Sequence, residues 1–195
     1  MKGLANLAFI AFIGIFPAMG QEKGWTLDKS HSKVEFTIVH MALSEVSGRF
    51  KEFDITFASS KEDFSDAAIN ATINVASITT DQERRDNHLK SNDFFDAVQF
   101  PTITFAGKSF EKVDEKKYRI IGDLTIKGVT KAVTFNAEHK GTLSTQQGPV
   151  MGWKATTTIN RFDFNLKWNA MIENVGLVAG EDVTISLNLE LRKQK

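Results

Sequence analysis

Apolar and polar residues alternate with a period of two along most of this 195-residue chain. In the run from Lys33 to His40, every second position is taken by Val34, Phe36 and Ile38, which is the pattern of a half-buried antiparallel strand. Eight or nine such segments follow one another, with glycine-containing turns between them. We therefore expect a closed antiparallel barrel rather than a doubly wound sheet, because closure removes exposed strand edges.

One heavily charged tract interrupts this alternation. Thr80 with Glu83 three residues later matches a helix-capping box, and Asp81 adds a favourable charge to the first turn. These signals predict one short helix near residues 81–91, before Pro101 starts a new strand. The predicted fold is all-β: an extended eight-stranded antiparallel barrel with one inserted helix.

Three local features refine this barrel. The change of parity between Phe50 and Phe53 predicts a bulge at the two residues between them, as in strands that curve around a barrel. Gly122 interrupts an apolar row where a barrel needs a bend or the close approach of another backbone. The stretch Thr142–Pro149 is predicted to be a mobile hairpin loop.

Residues 1–20 have the pattern of a secretory signal peptide. Lys2 precedes an apolar run that ends at Phe16, and small residues follow it up to Gly20. The run is too short for a comfortable membrane span. We therefore expect a periplasmic or secreted protein, with residues 21–195 forming one barrel domain.

The composition narrows the possible partners. The chain has no cysteine, so its stability must come from a core rather than from disulfides. It has 24 basic and 24 acidic residues, a balance that argues against nucleic acid and against simple adhesion to anionic lipid. No nucleotide-binding, zinc-protease or nucleophile-elbow motif occurs in the sequence, so we expect neither a cofactor nor a metal.

The aromatic residues are unevenly chosen, with 16 phenylalanines and one tyrosine. Many of the phenylalanines fall on predicted inward faces, where they form an apolar surface with few hydrogen-bond donors. Any single ring can simply fill the core, but a long, wide barrel can also enclose an elongated apolar chamber. The residues predicted to line such a chamber are Phe36, Ile38, Ile73, Phe105, Phe135 and Trp153.

Two residues of the predicted helix are candidates for contact with a ligand headgroup. Arg85 and His88 can cap the mouth of a chamber and form charge-assisted hydrogen bonds there. The structural alternative is a rim salt bridge from Arg85 to Asp86 or Asp93.

The sequence does not predict a catalytic or metal site. The cluster of Asp28, Ser30, His31 and Ser32 suggests a hydrolase, but adjacent strand positions point to opposite faces, so these side chains are not expected to converge. The four histidines lack tight metal-ligand spacing.

Four sequence blocks resemble the YceI family. They are WTLDKSHSKVEFTIVH from Trp25, RRDNHLKSNDFFDAVQFPTITF from Arg84, GDLTIKGVTKAVTF from Gly122 and KWNAMIENVGLVAGEDVTI from Lys167. The resemblance implies an exported, lipocalin-like barrel, often dimeric, that binds polyisoprenoids, isoprenoid quinones or other long amphiphiles. Asn165 and Asn174 stand where the family often has glycine, and because asparagine tolerates left-handed backbone, we expect these turns to survive.

We therefore predict a non-enzymatic lipid-binding protein that transports, stores or sequesters a long-chain apolar ligand. One alternative is a barrel enzyme that acts on an isoprenoid or lipid headgroup with a histidine as general base. The other is a solidly packed envelope-stress or adhesion module without a ligand. The alternatives differ in whether the barrel interior contains free apolar space.

Overall fold

The computed structural model describes residues 24–172 and 176–193. The predicted signal peptide and Asn174 lie outside the described residues. The described strands are β1 Trp25–Leu27, β2 Lys33–His40, β3 Ser44–Phe50, β4 Phe53–Ala58, β5 Ala68–Asn74, β6 Ile78–Thr79, β7 Thr102–Lys112, β8 Lys117–Ile126, β9 Val129–Thr145, β10 Gly148–Asn160, β11 Met171–Ile172, β12 Gly176–Leu177 and β13 Ala179–Lys193. Helix α1 is Glu83–Lys90, and 3-10 turns occupy Val75–Ser77 and Arg161–Phe164.

Eight of these strands close a barrel. Antiparallel pairing runs in the order β1-β4-β5-β7-β8-β9-β10-β13, and β13 returns to β1. Strand β2 continues from β1 along β13, and β3 pairs with β2 before the chain passes into β4. The predicted all-β closed barrel of eight antiparallel strands with one inserted helix is confirmed.

The bulge predicted between Phe50 and Phe53 is instead a break between two strands, whereas the close approach predicted at Gly122 is present. Strand β3 ends at Phe50 and β4 begins at Phe53, and both rings are buried because the interruption restores their inward direction. Opposite Gly122 the register of β7 shifts. A Cβ atom at Gly122 would lie 2.4 Å from Phe105 Cζ and 2.5 Å from the Ala106 carbonyl oxygen. The close approach of ring and backbone therefore requires glycine there.

The predicted loop over Thr142–Pro149 is wrong. Strands β9 and β10 remain paired as far as Thr145 and Gly148, so that only two residues form the turn. Residues 142–147 are all exposed. Because this part of the hairpin projects beyond the core, neither of its faces is buried, and its sequence lacks the alternation that identifies a half-buried strand.

The predicted capping box at Thr80 is also wrong. The helix begins at Glu83, and Gln82 caps its first turn. Asp81 has a positive φ of 57°, which turns the chain and moves the start of the helix two residues onward. Thr80 instead donates its amide and hydroxyl to Oδ1 of the buried Asp86, at 2.7 and 2.5 Å.

The connections divide between the two ends of the barrel. One end, here called the plug end, carries the β4–β5 connection (residues 59–67) and the β7–β8 and β9–β10 turns. The opposite end, here called the helix end, carries the β2–β3 turn, α1 with the segment that follows it, and the described parts of the β10–β13 connection (residues 161–172 and 176–178). These two ends enclose the barrel interior.

Candidate ligand chamber

The barrel interior contains an apolar cavity, here called the inner chamber. Its volume is about 70 Å³, and all 18 residues around it are apolar. Four predicted wall residues, Ile73, Phe105, Phe135 and Trp153, are among them. The cavity is slender because rings reach into it, with the Phe105 and Phe135 ring centroids only 5.4 Å apart.

A second cavity, the outer chamber, lies toward the helix end. Its free space is about 100 Å³, and the other two predicted wall residues, Phe36 and Ile38, line it. Ile185 lines both cavities, so the chambers are neighbours along β13. Their walls on this strand run from Val183 to Leu191. At the usual strand rise and barrel tilt, this distance is roughly 20 Å along the barrel axis.

Aromatic side chains close the plug end. Phe64, from the β4–β5 connection, packs against Trp153 and His139 with centroid distances of 5.4 and 5.1 Å. Tyr118 donates its hydroxyl to the Asp63 carbonyl oxygen at 3.2 Å, which ties this connection to β8. Burial lowers the pKa of His139, and the positive charge of nearby Lys116 acts in the same direction. The neutral imidazole therefore fits this seal best.

The helix end presents Leu89, rather than Arg85, to the outer chamber. The exposed Arg85 side chain folds back onto Thr80, donating from Nε to Oγ1 at 2.7 Å and from Nη2 to the carbonyl oxygen at 3.0 Å. Among the described residues, Arg85 forms no ion pair with Asp86 or Asp93. Its headgroup role stays a prediction.

His88 lies farther along the same helix and contacts the β10–β13 connection. Its Nε2 is 3.1 Å from Asp93 Oδ2. Its ring packs edge-on against Phe94 and Trp168, with centroid distances of 5.0 and 5.1 Å. His88 is not among the residues that line either chamber, and its headgroup role also stays a prediction.

Arg161 is a site residue that sequence reasoning missed. It lines the outer chamber and is 2% exposed. Its Nε donates to the Gly180 carbonyl oxygen at 2.7 Å, and its Nη2 donates to that of Ala179 at 3.1 Å. Its Nη1 donates to the carbonyl oxygens of Leu166 and of Trp168, the latter at 2.8 Å. One guanidinium thus holds both ends of the β10–β13 connection.

The local backbone after Arg161 follows the expectation drawn from the sequence. Asn165 ends the 3-10 turn in the left-handed conformation, with φ 58° and ψ 21°. Its amide bonds to the Phe162 carbonyl oxygen at 3.2 Å. The asparagine therefore provides the turn for which glycine was the expected residue.

Three members of the polar cluster between β1 and β2 converge, so the prediction that these side chains diverge is wrong, whereas Ser32 instead bonds the Glu190 backbone. Asp28 accepts from Ser30 Oγ at 2.6 Å, and its Oδ2 is 3.1 Å from His31 Nδ1. These residues form a turn, to which the alternation of a strand does not apply. Ser30 and Asp28 both approach the same ring nitrogen, Nδ1, whereas proton relay requires one partner on each nitrogen.

The same cluster is also a poor cation site. Asp28, His31 and Glu190 are close enough to share a metal ion. However, the Arg192 guanidinium lies 2.9 Å from the Asp28 carboxylate and 3.0 Å from that of Glu190. Both acids are therefore already paired with a positive charge, which a metal ion would have to displace.

Within residues 24–172 and 176–193, no helix combines the length and apolarity needed to span a membrane.

Comparisons with known proteins agree with this architecture. The family model for the YceI-like domain matches residues 25–191. A UPF0312 protein of Staphylococcus aureus (strain MSSA476) is 41% identical over 168 residues, which are 85% of this chain and 95% of that protein. The solved YceI protein of Campylobacter jejuni is 32% identical with a TM-score of 0.71, over 87% of this chain and 98% of that one.

Two more distant structures share the fold. BcnA of Burkholderia cenocepacia has a TM-score of 0.75 at 22% identity, over 84% of this chain and 98% of that one. A polyisoprenoid binding domain from Saccharophagus degradans has a TM-score of 0.62 at 14% identity, over 87% and 98%. The family match spans nearly every described residue, and the staphylococcal relative is similar over almost its whole length. This chain therefore belongs to the YceI-like domain family.

Proposed function

We propose that this protein is an exported, non-enzymatic carrier that holds a long-chain amphiphile, such as a polyisoprenoid or isoprenoid quinone, in its two chambers. The observation that carries this proposal is the run of apolar wall from the plug end to the helix end. The polyisoprenoid binding domain of Saccharophagus degradans, a structural neighbour, supports it. A ligand held this way is protected from water during transport, storage or sequestration.

The energetics of such a carrier require only an apolar tail. Each buried CH₂ contributes about 0.8 kcal/mol, so ten buried carbons supply about 8 kcal/mol before ordering costs. Without those ordering costs, a binding free energy of about 8 kcal/mol corresponds to roughly micromolar affinity. Because the present free space is slender, a bound tail must also displace rings such as Phe105 and Phe135, which reduces the net gain.

Extraction of the purified protein tests the proposal directly. The protein is extracted with organic solvent, and the extract is analysed by mass spectrometry. A retained polyprenyl or acyl species, together with binding of fluorescent lipids, is the expected result. A clean extract and no lipid binding would contradict the carrier function and favour a packed module.

A charged substitution in the wall tests the location of the ligand. Phe135 is buried and lines the inner chamber, so Phe135→Asp should reduce lipid uptake at least tenfold, because a carboxylate must then be buried or hydrated beside the tail. The matched control is Thr134→Asp, which adds the same charge on the exposed face of β9. Circular dichroism checks folding in both variants. Unchanged uptake in a folded Phe135→Asp protein would remove this ring from the site.

The proposal also extends to the rim and to assembly. We propose that Arg85 and His88 meet a headgroup as it enters, and that the protein works as a homodimer outside the cytoplasm. Light scattering on the purified protein tests the dimer, and fractionation of cells tests the location. The converging Asp28, Ser30 and His31 do not line either chamber, so they give no support to an enzymatic function.

A further inference from the structure

We propose, on the basis of the carrier function, that an apolar surface at the helix end docks the protein onto a lipid bilayer, from which the ligand is taken. This surface, here called the docking tip, consists of Val39, Leu43 and Met171. Because none of these side chains is charged, the partner is a neutral or zwitterionic bilayer surface. Three observations lead to this assignment: the exposure of the tip, the strained turn that presents it and its position beside the outer chamber.

The docking tip consists of large apolar side chains that the fold leaves in contact with water. Leu43 is 83% exposed, Met171 is 71% exposed and Val39 is 46% exposed. Apolar residues scattered singly over a surface need no explanation, but neighbouring ones mark a site of contact with a partner or a membrane. The question is therefore whether these residues are neighbours.

Backbone hydrogen bonds place the two parts of the tip side by side. The Met41 amide donates to the Val178 carbonyl oxygen at 3.0 Å, and the Val178 amide donates to the Ala170 carbonyl oxygen at 2.9 Å. Two hydrogen-bonded strand spacings amount to about 10 Å. Leu43 and Met171, each close in sequence to one end of this bridge, thus belong to one surface.

The β2–β3 turn presents the tip in a strained conformation. Met41 and Ala42 have φ values of 52° and 55°, and the Leu43 amide donates to the His40 carbonyl oxygen at 3.0 Å. This is a type I′ turn, for which Asn-Gly is favoured because both central residues need a positive φ. Methionine and alanine are unfavourable there, and such strain is concentrated at functional sites. The apolar sequence of the turn therefore serves a contact outside the chain.

The tip borders the outer chamber. Ile38, which directly precedes Val39, lines this chamber together with its cross-strand partner Val183. Met41 begins the turn three residues beyond Ile38, which is about 10 Å at the usual strand rise. A bilayer that contacts the tip therefore lies close to the chamber, so that a tail has only a short distance to cross.

The size of the tip favours a bilayer over a second copy of the chain. Full burial of a side chain of this size removes about 60–120 Å² of apolar surface, so three of them supply at most about 360 Å². Each partner in a standard protein–protein interface contributes roughly 800 Å². A few apolar side chains do suffice for weak, reversible contact with the bilayer interface, which suits a carrier that must leave again.

Flotation with phosphatidylcholine vesicles tests the docking tip without any bound ligand. Leu43→Asp should lower the partition coefficient at least tenfold, because a carboxylate then replaces the apolar side chain. The matched control is Leu143→Asp, at a leucine of the plug end that is 73% exposed, and it should bind as the wild type does. Wild-type binding should persist in high salt. Equal binding of the two variants, loss of binding in high salt or no wild-type binding would overturn the proposal.

A fluorescent probe locates the contact. Because the chain has no cysteine, Leu43→Cys and Leu143→Cys can each be labelled at one position with an environment-sensitive fluorophore. We expect phosphatidylcholine vesicles to shift the emission of the label to the blue at position 43 and to leave it unchanged at position 143. Equal shifts, a larger shift at position 143 or no shift would contradict the docking tip.

Two routes of delivery separate this proposal from the carrier function. A pyrene-labelled long-chain fatty acid is offered either as a dilute monomer or within phosphatidylcholine vesicles. Leu43→Asp should bind the monomer with wild-type affinity but slow the transfer from vesicles at least fivefold. If the wild type takes up the fatty acid by neither route, the carrier function itself is contradicted. An unchanged transfer rate in Leu43→Asp, or a dimer that this variant converts to a monomer, would overturn the docking tip alone.

Discussion

The two ends of the barrel are closed by different chemistry. At the plug end, Phe64 packs on Trp153 and His139, and the seal consists almost wholly of rings. At the helix end, buried polar groups hold the cover: Asp86 anchors α1, and Arg161 anchors the β10–β13 connection. An apolar seal favours a hydrocarbon tail, whereas the helix end also carries Arg85 and His88, the proposed headgroup contacts. We therefore expect the tail to point toward the plug end.

The polar anchor beneath α1 is the buried Asp86 carboxylate, which accepts three hydrogen bonds. Burial by itself would raise the pKa of Asp86, but hydrogen bonds from Thr80 and then Thr79 outweigh this effect and lower it. The carboxylate accepts from the Thr80 amide and from both threonine hydroxyls. The helix end thus depends on an ionised carboxylate, whereas the plug end depends on a neutral imidazole, His139, packed among aromatic rings.

The largest expected effect comes from opening the plug end. Phe64→Ala should lower the free energy of unfolding by roughly 3–5 kcal/mol, because it leaves a cavity beside Trp153. It should also let the barrel accept longer tails, which a competition series of fatty acids of increasing length would show. Phe94→Ala removes a buried ring at the helix end and is the matched control. An equal shift of length preference in both variants would contradict the assignment of the tail to the plug end.

A smaller effect is expected from the anchor beneath the helix. Asp86→Ala leaves Thr79 and Thr80 donors unsatisfied, and should lower the free energy of unfolding by roughly 2–3 kcal/mol. Asp93→Ala removes an exposed acid paired with His88 and should change it by less than about 1 kcal/mol. Urea denaturation measures both.

The pH dependence of the free energy of unfolding provides a second test of the Asp86 anchor. The folded-state pKa of Asp86 lies below its unfolded value of 3.8, so its contribution is present above that value and is lost as the pH falls through the folded pKa. Asp86→Ala should therefore flatten the acid limb of the stability profile. An unchanged acid limb would show that the carboxylate is not the anchor.

The smallest effects are expected from two histidines with opposite shifts. The pKa of His139 is lowered, first by burial, so stability should fall as the pH drops below 6.5, when the unfolded chain binds the proton first. The pKa of His31 is raised, chiefly by its hydrogen bond to Asp28, so its contribution is present below 6.5 and is lost as the pH rises through the folded pKa. His139→Gln and His31→Gln should change the pH profile in opposite directions. Changes of the same sign would contradict these environments.

The period-two pattern sufficed to predict the barrel, since inward positions such as Phe105 and Trp153 are determined by strand parity alone. The start of α1 was predicted wrongly because Asp81 takes a positive φ, which a sequence does not display. Arg161 has the same inward parity as Ile159 and Trp153. The role of a charged residue at an inward position can be interpreted, however, only when its hydrogen-bond partners are known. Those partners include Gly180, far along the chain, so the site could not be assembled from local spacing.

The contact at Gly122 fixes the position of one ring in the wall of the inner chamber. Phe105 rests directly on the backbone of β8 because position 122 carries no side chain. A single added methyl group would push that ring into the space it now borders, while surface, charge and strand order remained the same. The volume available to a guest molecule thus depends partly on an atom that this wall lacks, a difference that the outer surface of the protein would not reveal.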